Sequence, residues 1–199
     1  MRTLLFILLL PVIIFSQSGE KTVTLLDRFA ERTDSLISSS SGTPADVFAC
    51  TINVQRNVRA IGMQETKITF YYYQREDSVY EVDGTVYFVP RYNHPVKITA
   101  EYNIAASQNV ISSYYIDGDK YLNRFISTGA YGNIYRNFWI SGGELLKYSK
   151  KDSNEGQKET IESGKFSKEV YSDGILVMDK VRDYIKLYYD IFDIEYRDK

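Results

Sequence analysis

Tyr114-Tyr115-Ile116-Asp117-Gly118-Asp119-Lys120-Tyr121 is the stretch on which the fold turns. An Asp-Gly pair between β-prone runs predicts a two-residue hairpin, because a type I′ turn needs positive φ at both central positions. The pattern occurs a second time, as Tyr80-Glu81-Val82-Asp83-Gly84-Thr85-Val86-Tyr87. With Asp-Gly as the loop, Val82 is expected opposite Thr85 and Tyr80 opposite Tyr87; in the other copy Tyr114 is expected opposite Tyr121. Each hairpin then carries a cross-strand tyrosine pair on one face. Residues 65–148 hold 13 of the 18 tyrosines, so this region reads as a run of tyrosine-rich strands. The ring's apolar body and polar tip suit a half-buried sheet.

The flanking segments extend the same reading. Ile68, Phe70 and Tyr72 alternate with Lys67, Thr69 and Tyr71, and Val96, Ile98, Ala100 and Tyr102 alternate with Lys97, Thr99, Glu101 and Asn103. Period-two alternation predicts strands with one face on a core and the other in water. Residues 134–140 and 144–148 flank Ser141-Gly142-Gly143 as a third hairpin, and residues 45–58 read as a further strand, with a short helix as the alternative. The polar run over 150–164 reads as a surface loop or linker. The motif glycines recur at unequal intervals, which fits hairpins of one sheet and not a solenoid.

Both ends read as helix. Val23, Leu26, Phe29, Ala30, Thr33, Leu36 and Ile37 form one stripe, with Asp27, Arg28, Glu31, Arg32 and Asp34 on the remaining surface and Ser38 to Pro44 as a stop. Ile175, Met178, Val181, Ile185, Tyr188, Ile191 and Phe192 form another, with Ser172 or Asp173 as its cap. A turn at Asp173-Gly174 is the competing reading, outweighed by the length of the periodic window. The expected architecture is therefore α+β: an antiparallel β-meander of six to nine strands packed against an N-terminal and a C-terminal amphipathic helix that cover one face.

Residues 1–18 read as a signal peptide and 19–199 as a single α+β domain. Arg2 supplies the positive charge, residues 4–15 the apolar run, and Ser16 and Ser18 the small cleavage-site residues. A run of 12 is short of the ~20 residues of a spanning helix, which favours a cleaved leader over an anchor. The expected location is secreted, periplasmic or cell envelope, with membrane contact only through the leader. At 199 residues and 44% hydrophobic, the chain can build a core. It must do so without an internal disulfide, since Cys50 is the only cysteine. Net charge is −2, and loss of Arg2 with the leader makes it −3. That balance supplies no basic surplus for phosphates, so nucleic acid is not expected as a partner.

No phosphate-binding loop, dinucleotide turn, zinc-protease helix or serine elbow occurs, so the sequence nominates no catalytic residues, cofactor or metal. Cys50 has only His94 as a possible base, and a small buried thiol is the simpler reading. Asp117, Asp119 and Asn123 sketch a calcium loop, but Tyr121 stands where an oxygen ligand is needed. Gly129-Ala130-Tyr131-Gly132 lacks the basic flank of a nucleotide clamp. Glu81 and Glu101 are a carboxylate pair of the kind glycoside hydrolysis requires. Tyr71 and Tyr73 lie opposite the Ile68, Phe70, Tyr72 face and are the candidate ligand- or partner-binding residues. The function expected is an exported, non-catalytic binding or interaction module. A carrier of a small apolar ligand between sheet and helix, and a carboxylate-dependent hydrolase, are the alternatives. The partner is a protein, a glycan or a small apolar ligand.

Overall fold

The computed structural model describes residues 3–39, 47–59, 62–73, 78–82, 85–89, 94–104, 108–130, 132–155 and 158–192. Helix α1 (Thr3–Ser39) is followed by β1 (Val47–Val58), β2 (Gly62–Tyr73), β3 (Ser78–Val82), β4 (Thr85–Val89) and β5 (Pro95–Ile104). Then come β6 (Gln108–Asp117), β7 (Lys120–Gly129), β8 (Ile134–Ser141), β9 (Glu144–Asp152), β10 (Glu159–Ser163) and helix α2 (Lys168–Ile191). Eight strands form one antiparallel sheet in the order β1-β2-β5-β6-β7-β8-β9-β10, and β3 and β4 pair as a separate ribbon. The class is α+β and the main sheet is a meander of eight strands, within the six to nine expected. One of its edges comes from 150–164, which was expected to be a loop or linker. Its polar composition is that of an exposed edge strand and not of a linker: β10 pairs with β9 from Glu159 opposite Lys151 to Ser163 opposite Lys147.

The two helices lie on opposite faces of the sheet, which corrects the expectation that both cover one face. Tyr114 meets Tyr184 of α2 edge-on at 5.5 Å, whereas the next residue, Tyr115, donates its hydroxyl proton to Asp34 of α1. Adjacent strand residues point to opposite sides, so the sheet is the middle of three layers. On the α2 side Phe70, Ile98, Ile116, Val181 and Tyr188 form the main core. On the α1 side Leu26 and Ala30 pack on Tyr115, Leu122 and Trp139. Each fully buried large side chain contributes roughly 1.5–3 kcal/mol, so both layers stabilise the sheet.

Hairpin registers follow from which two residues make each loop. In the β3–β4 ribbon Tyr80 stands opposite Tyr87 and Val82 opposite Thr85, as expected; Asp83 and Gly84 lie outside the described residues. In β6–β7 the loop is Gly118-Asp119 instead of Asp117-Gly118. Asp117 pairs with Lys120, Ile116 with Tyr121 and Tyr114 with Asn123, so the expected Tyr114–Tyr121 pair does not form. Gly118 takes φ +64° at the first loop position, a left-handed conformation that glycine adopts at no steric cost. Gly142 and Gly143, at φ +58° and +77°, turn β8 into β9.

Helix α1 runs unbroken from the apolar N-terminal run into the amphipathic stripe. Leu26, Ala30 and Thr33 are buried as the stripe predicts, but Asp27 and Asp34 are not on the outer surface. They are two turns apart on the sheet-facing side, where Asp34 accepts from Lys97 Nζ at 2.6 Å and Asp27 from Trp139 Nε1 at 3.0 Å. Helix α2 starts earlier than expected. Ser167 is its N-cap and accepts from the Val170 amide, not Ser172 or Asp173. Its inner stripe runs through Val170, Gly174, Val181 and Tyr188, while Ile175 and Ile191 are exposed. Gly174 sets this rotation: a Cβ there would lie 3.3 Å from Leu145 Cδ2 on β9. Among the described residues no helix is long and apolar enough to cross a membrane.

Candidate ligand cleft beneath the C-terminal helix

The α2 side of the sheet does not close completely against its helix. A cleft of about 360 Å³ opens where α2 crosses the strands. Its floor is Val54 of β1, Thr66 and Ile68 of β2, Tyr102 of β5 and Tyr114 of β6; Lys180 and Tyr184 of α2 form the wall, and Arg56 of β1 the rim. Ile68 is opposite Ala100, and Ala100 is opposite Ser112, so two small residues lie in line between the large Tyr102 and Tyr114 side chains. Tyr184 closes on Tyr114 from above.

Three phenols therefore converge on one space, and burial is the main cause that raises the pKa of each. Tyr102 and Tyr184 each raise the Tyr114 pKa further, partly offset by a Ser112 hydrogen bond. Tyr184 is raised further by Tyr102 and Asp183, with the Arg56 charge acting in the other direction. All three remain neutral, hydrogen-bonding phenols at physiological pH.

Arg56 is held in place. Its Nε donates to Gln64 Oε1 at 2.8 Å, and the buried Gln64 donates from Nε2 to the Asn103 carbonyl at 2.8 Å. This chain across β1, β2 and β5 fixes the guanidinium plane through one nitrogen and leaves the two terminal NH₂ groups outside that bond. Among the described residues no carboxylate lines the cleft. The arrangement suits an apolar or flat body stacked on phenol rings, with a polar group at the rim.

The residues nominated from sequence lie elsewhere. Tyr71 and Tyr73 are on the α1 side of β2, both half-buried, and the Lys97 ammonium sits 5.6 Å from the Tyr71 ring centre. Glu101 pairs with Lys67 at 3.4 Å on that same side, while Glu81 belongs to the separate β3–β4 ribbon. Cys50 is half-buried on β1, and His94 is hydrogen-bonded through Nδ1 to the Tyr189 hydroxyl. Asp117 ends β6 and Asp119 is the second residue of the β6–β7 loop, 3.9 Å from Lys120. Among the described residues no group of three His, Cys, Asp or Glu is placed to hold a metal ion. Gly129 and Gly132 close a turn through the Gly132 amide and Gly129 carbonyl; Tyr131 lies outside the described residues.

Sequence reasoning did not single out Arg56, Tyr102, Tyr114, Lys180 or Tyr184 as a site. One signal was present: tyrosine at core-facing positions of β5 and β6, where a phenol needs a polar partner or a wet edge. A second, smaller cavity of about 240 Å³ is lined by Asn133, Tyr135, Lys151 and Ser153 near the β8–β9 end. No family model matches this chain, and neither a curated protein nor a solved structure does.

Proposed function

We propose that this protein is an exported, non-catalytic binding module that holds one small ligand in the tyrosine-lined cleft between α2 and the sheet. The observation that carries the proposal is the convergence of Tyr102, Tyr114 and Tyr184 on about 360 Å³ of open space. That volume falls at the low end of the roughly 300–1,000 Å³ typical of small-molecule sites. Tyrosine-rich walls support binding because their rings offer contact area at little conformational cost.

Export rests on the N-terminal apolar run and its charged start. Leu26, Asp27, Ala30 and Asp34, which dock α1, all follow residue 18, so cleavage there leaves this docking in place. The hydrolase reading gains nothing from the geometry, since Glu81 and Glu101 sit in different sheets. The test is native mass spectrometry of protein recovered from its own host. A bound small molecule at one per chain, absent from a Tyr184→Trp variant that fills the cleft, is the expected result. Empty protein, together with loss of partner capture on Tyr71→Ala and Tyr73→Ala, would move the binding surface to the α1 side.

A further inference from the structure

The cleft carries a charge pattern as well as a shape. Among the described residues its lining includes two cationic side chains, Arg56 and Lys180, and no carboxylate. They come from different elements, β1 and α2, and so flank the cleft on the strand side and the helix side. Arg56 is not a loose surface cation: the bond to Gln64, itself anchored on Asn103, aligns it before any ligand arrives. An arginine held through Nε alone keeps its terminal NH₂ pair for a planar acceptor with two oxygens.

The rest of the lining is Val54, Ile68 and the rings of Tyr102, Tyr114 and Tyr184, with Thr66 as its one small polar residue among those described. Asp183 raises the Tyr184 pKa from beside the cleft and is not among the residues that line it. Volume limits the occupant further. At about 360 Å³ the cleft admits one chain or one ring system and leaves little room for a two-chain lipid.

We infer that the ligand is a small organic anion, with an apolar body of a single chain or ring against the three tyrosines and a carboxylate-type head between Arg56 and Lys180. This deepens the cleft reading and rests on it.

The test uses three probes of equal chain length, decanoate, decanol and decyltrimethylammonium, titrated calorimetrically into the full mature protein at low salt. Decanoate is expected to bind at least about tenfold more tightly than decanol, with the cation weakest. Arg56→Ala and Lys180→Ala, both on exposed residues, should each weaken decanoate severalfold while leaving decanol unchanged. Raising the salt should act in the same selective way. If decanol binds as well as decanoate and both are lost in Tyr184→Trp, the cleft stands and the anion assignment is overturned. If no probe responds to Tyr184→Trp, the cleft reading itself fails and the anion assignment goes with it.

Discussion

Replacing Leu26 by alanine removes the central contact between α1 and the sheet. Leu26 is 1% exposed and packs against Tyr115, Leu122 and Trp139. Leu→Ala changes at such sites cost about 2–5 kcal/mol, depending on how far the surroundings collapse into the space. Here only one side of the cavity is sheet; the other is a helix that can settle inward, which places the expected cost at about 2–3 kcal/mol. The reporter is built in, because Trp139 is the chain's only tryptophan and sits in this interface. Urea unfolding followed by tryptophan emission and by far-ultraviolet circular dichroism gives both the loss of stability and its location. The emission midpoint should fall at least as far as the dichroism midpoint, since α1 is a separable outer layer. A change under about 0.5 kcal/mol with unaltered emission would refute the docking of α1 over Trp139.

Three further outcomes follow from other parts of the molecule. Asp34→Ala should cost about 1–2 kcal/mol in urea unfolding, because Asp34 serves both Lys97 Nζ and the Tyr115 hydroxyl and Lys97 is only 15% exposed; an unchanged midpoint would show the pair to be dispensable. Alkaline unfolding should begin near pH 10, where free phenols ionise, because burial is the largest cause raising Tyr114, Tyr115 and Tyr188 above their usual value of 10.0. The unfolded chain then binds fewer protons than the folded one, so stability is full below pH 10 and falls as pH rises through the folded pKa values. Phenolate absorbance that climbs gradually, with folding intact, would contradict this. Gly132→Ala should destabilise by about 1–2 kcal/mol, since Gly132 has φ +88° and a Cβ would lie 2.4 Å from Asn154 Nδ2; a neutral result in the same unfolding assay would argue against that backbone geometry.

The sheet was legible because its signals are local. Alternation in β2 and β5 and the glycine turns at Gly118 and Gly142 depend on neighbours a few residues apart. The register of β6–β7 was missed by two residues because Asp-Gly-Asp offers two overlapping turn positions, and the one that places glycine first won. The two-faced cover of the sheet was also signalled, though not read. Tyr114-Tyr115-Ile116 and Phe138-Trp139-Ile140 are buried at three consecutive positions, and a strand dry on both sides shows such runs in place of alternation. Asp27 and Asp34 misled by residue type: acids seven apart on a helix look solvated until Lys97, Arg124 and Trp139 arrive from distant strands. The cleft was the least legible feature. It depends on side chains of β1, β2, β5, β6 and α2 meeting across the sheet, which no short window of sequence encodes.

The most direct measurement of the central claim is ring-selective NMR of isotope-labelled tyrosine and tryptophan during a decanoate titration. Tyr102, Tyr114 and Tyr184 should shift together with one binding curve, while Tyr71, Tyr115 and Trp139 on the opposite side of the sheet stay still. Shifts confined to Tyr71, Tyr115 and Trp139, with the α2-side rings unmoved, would contradict the account.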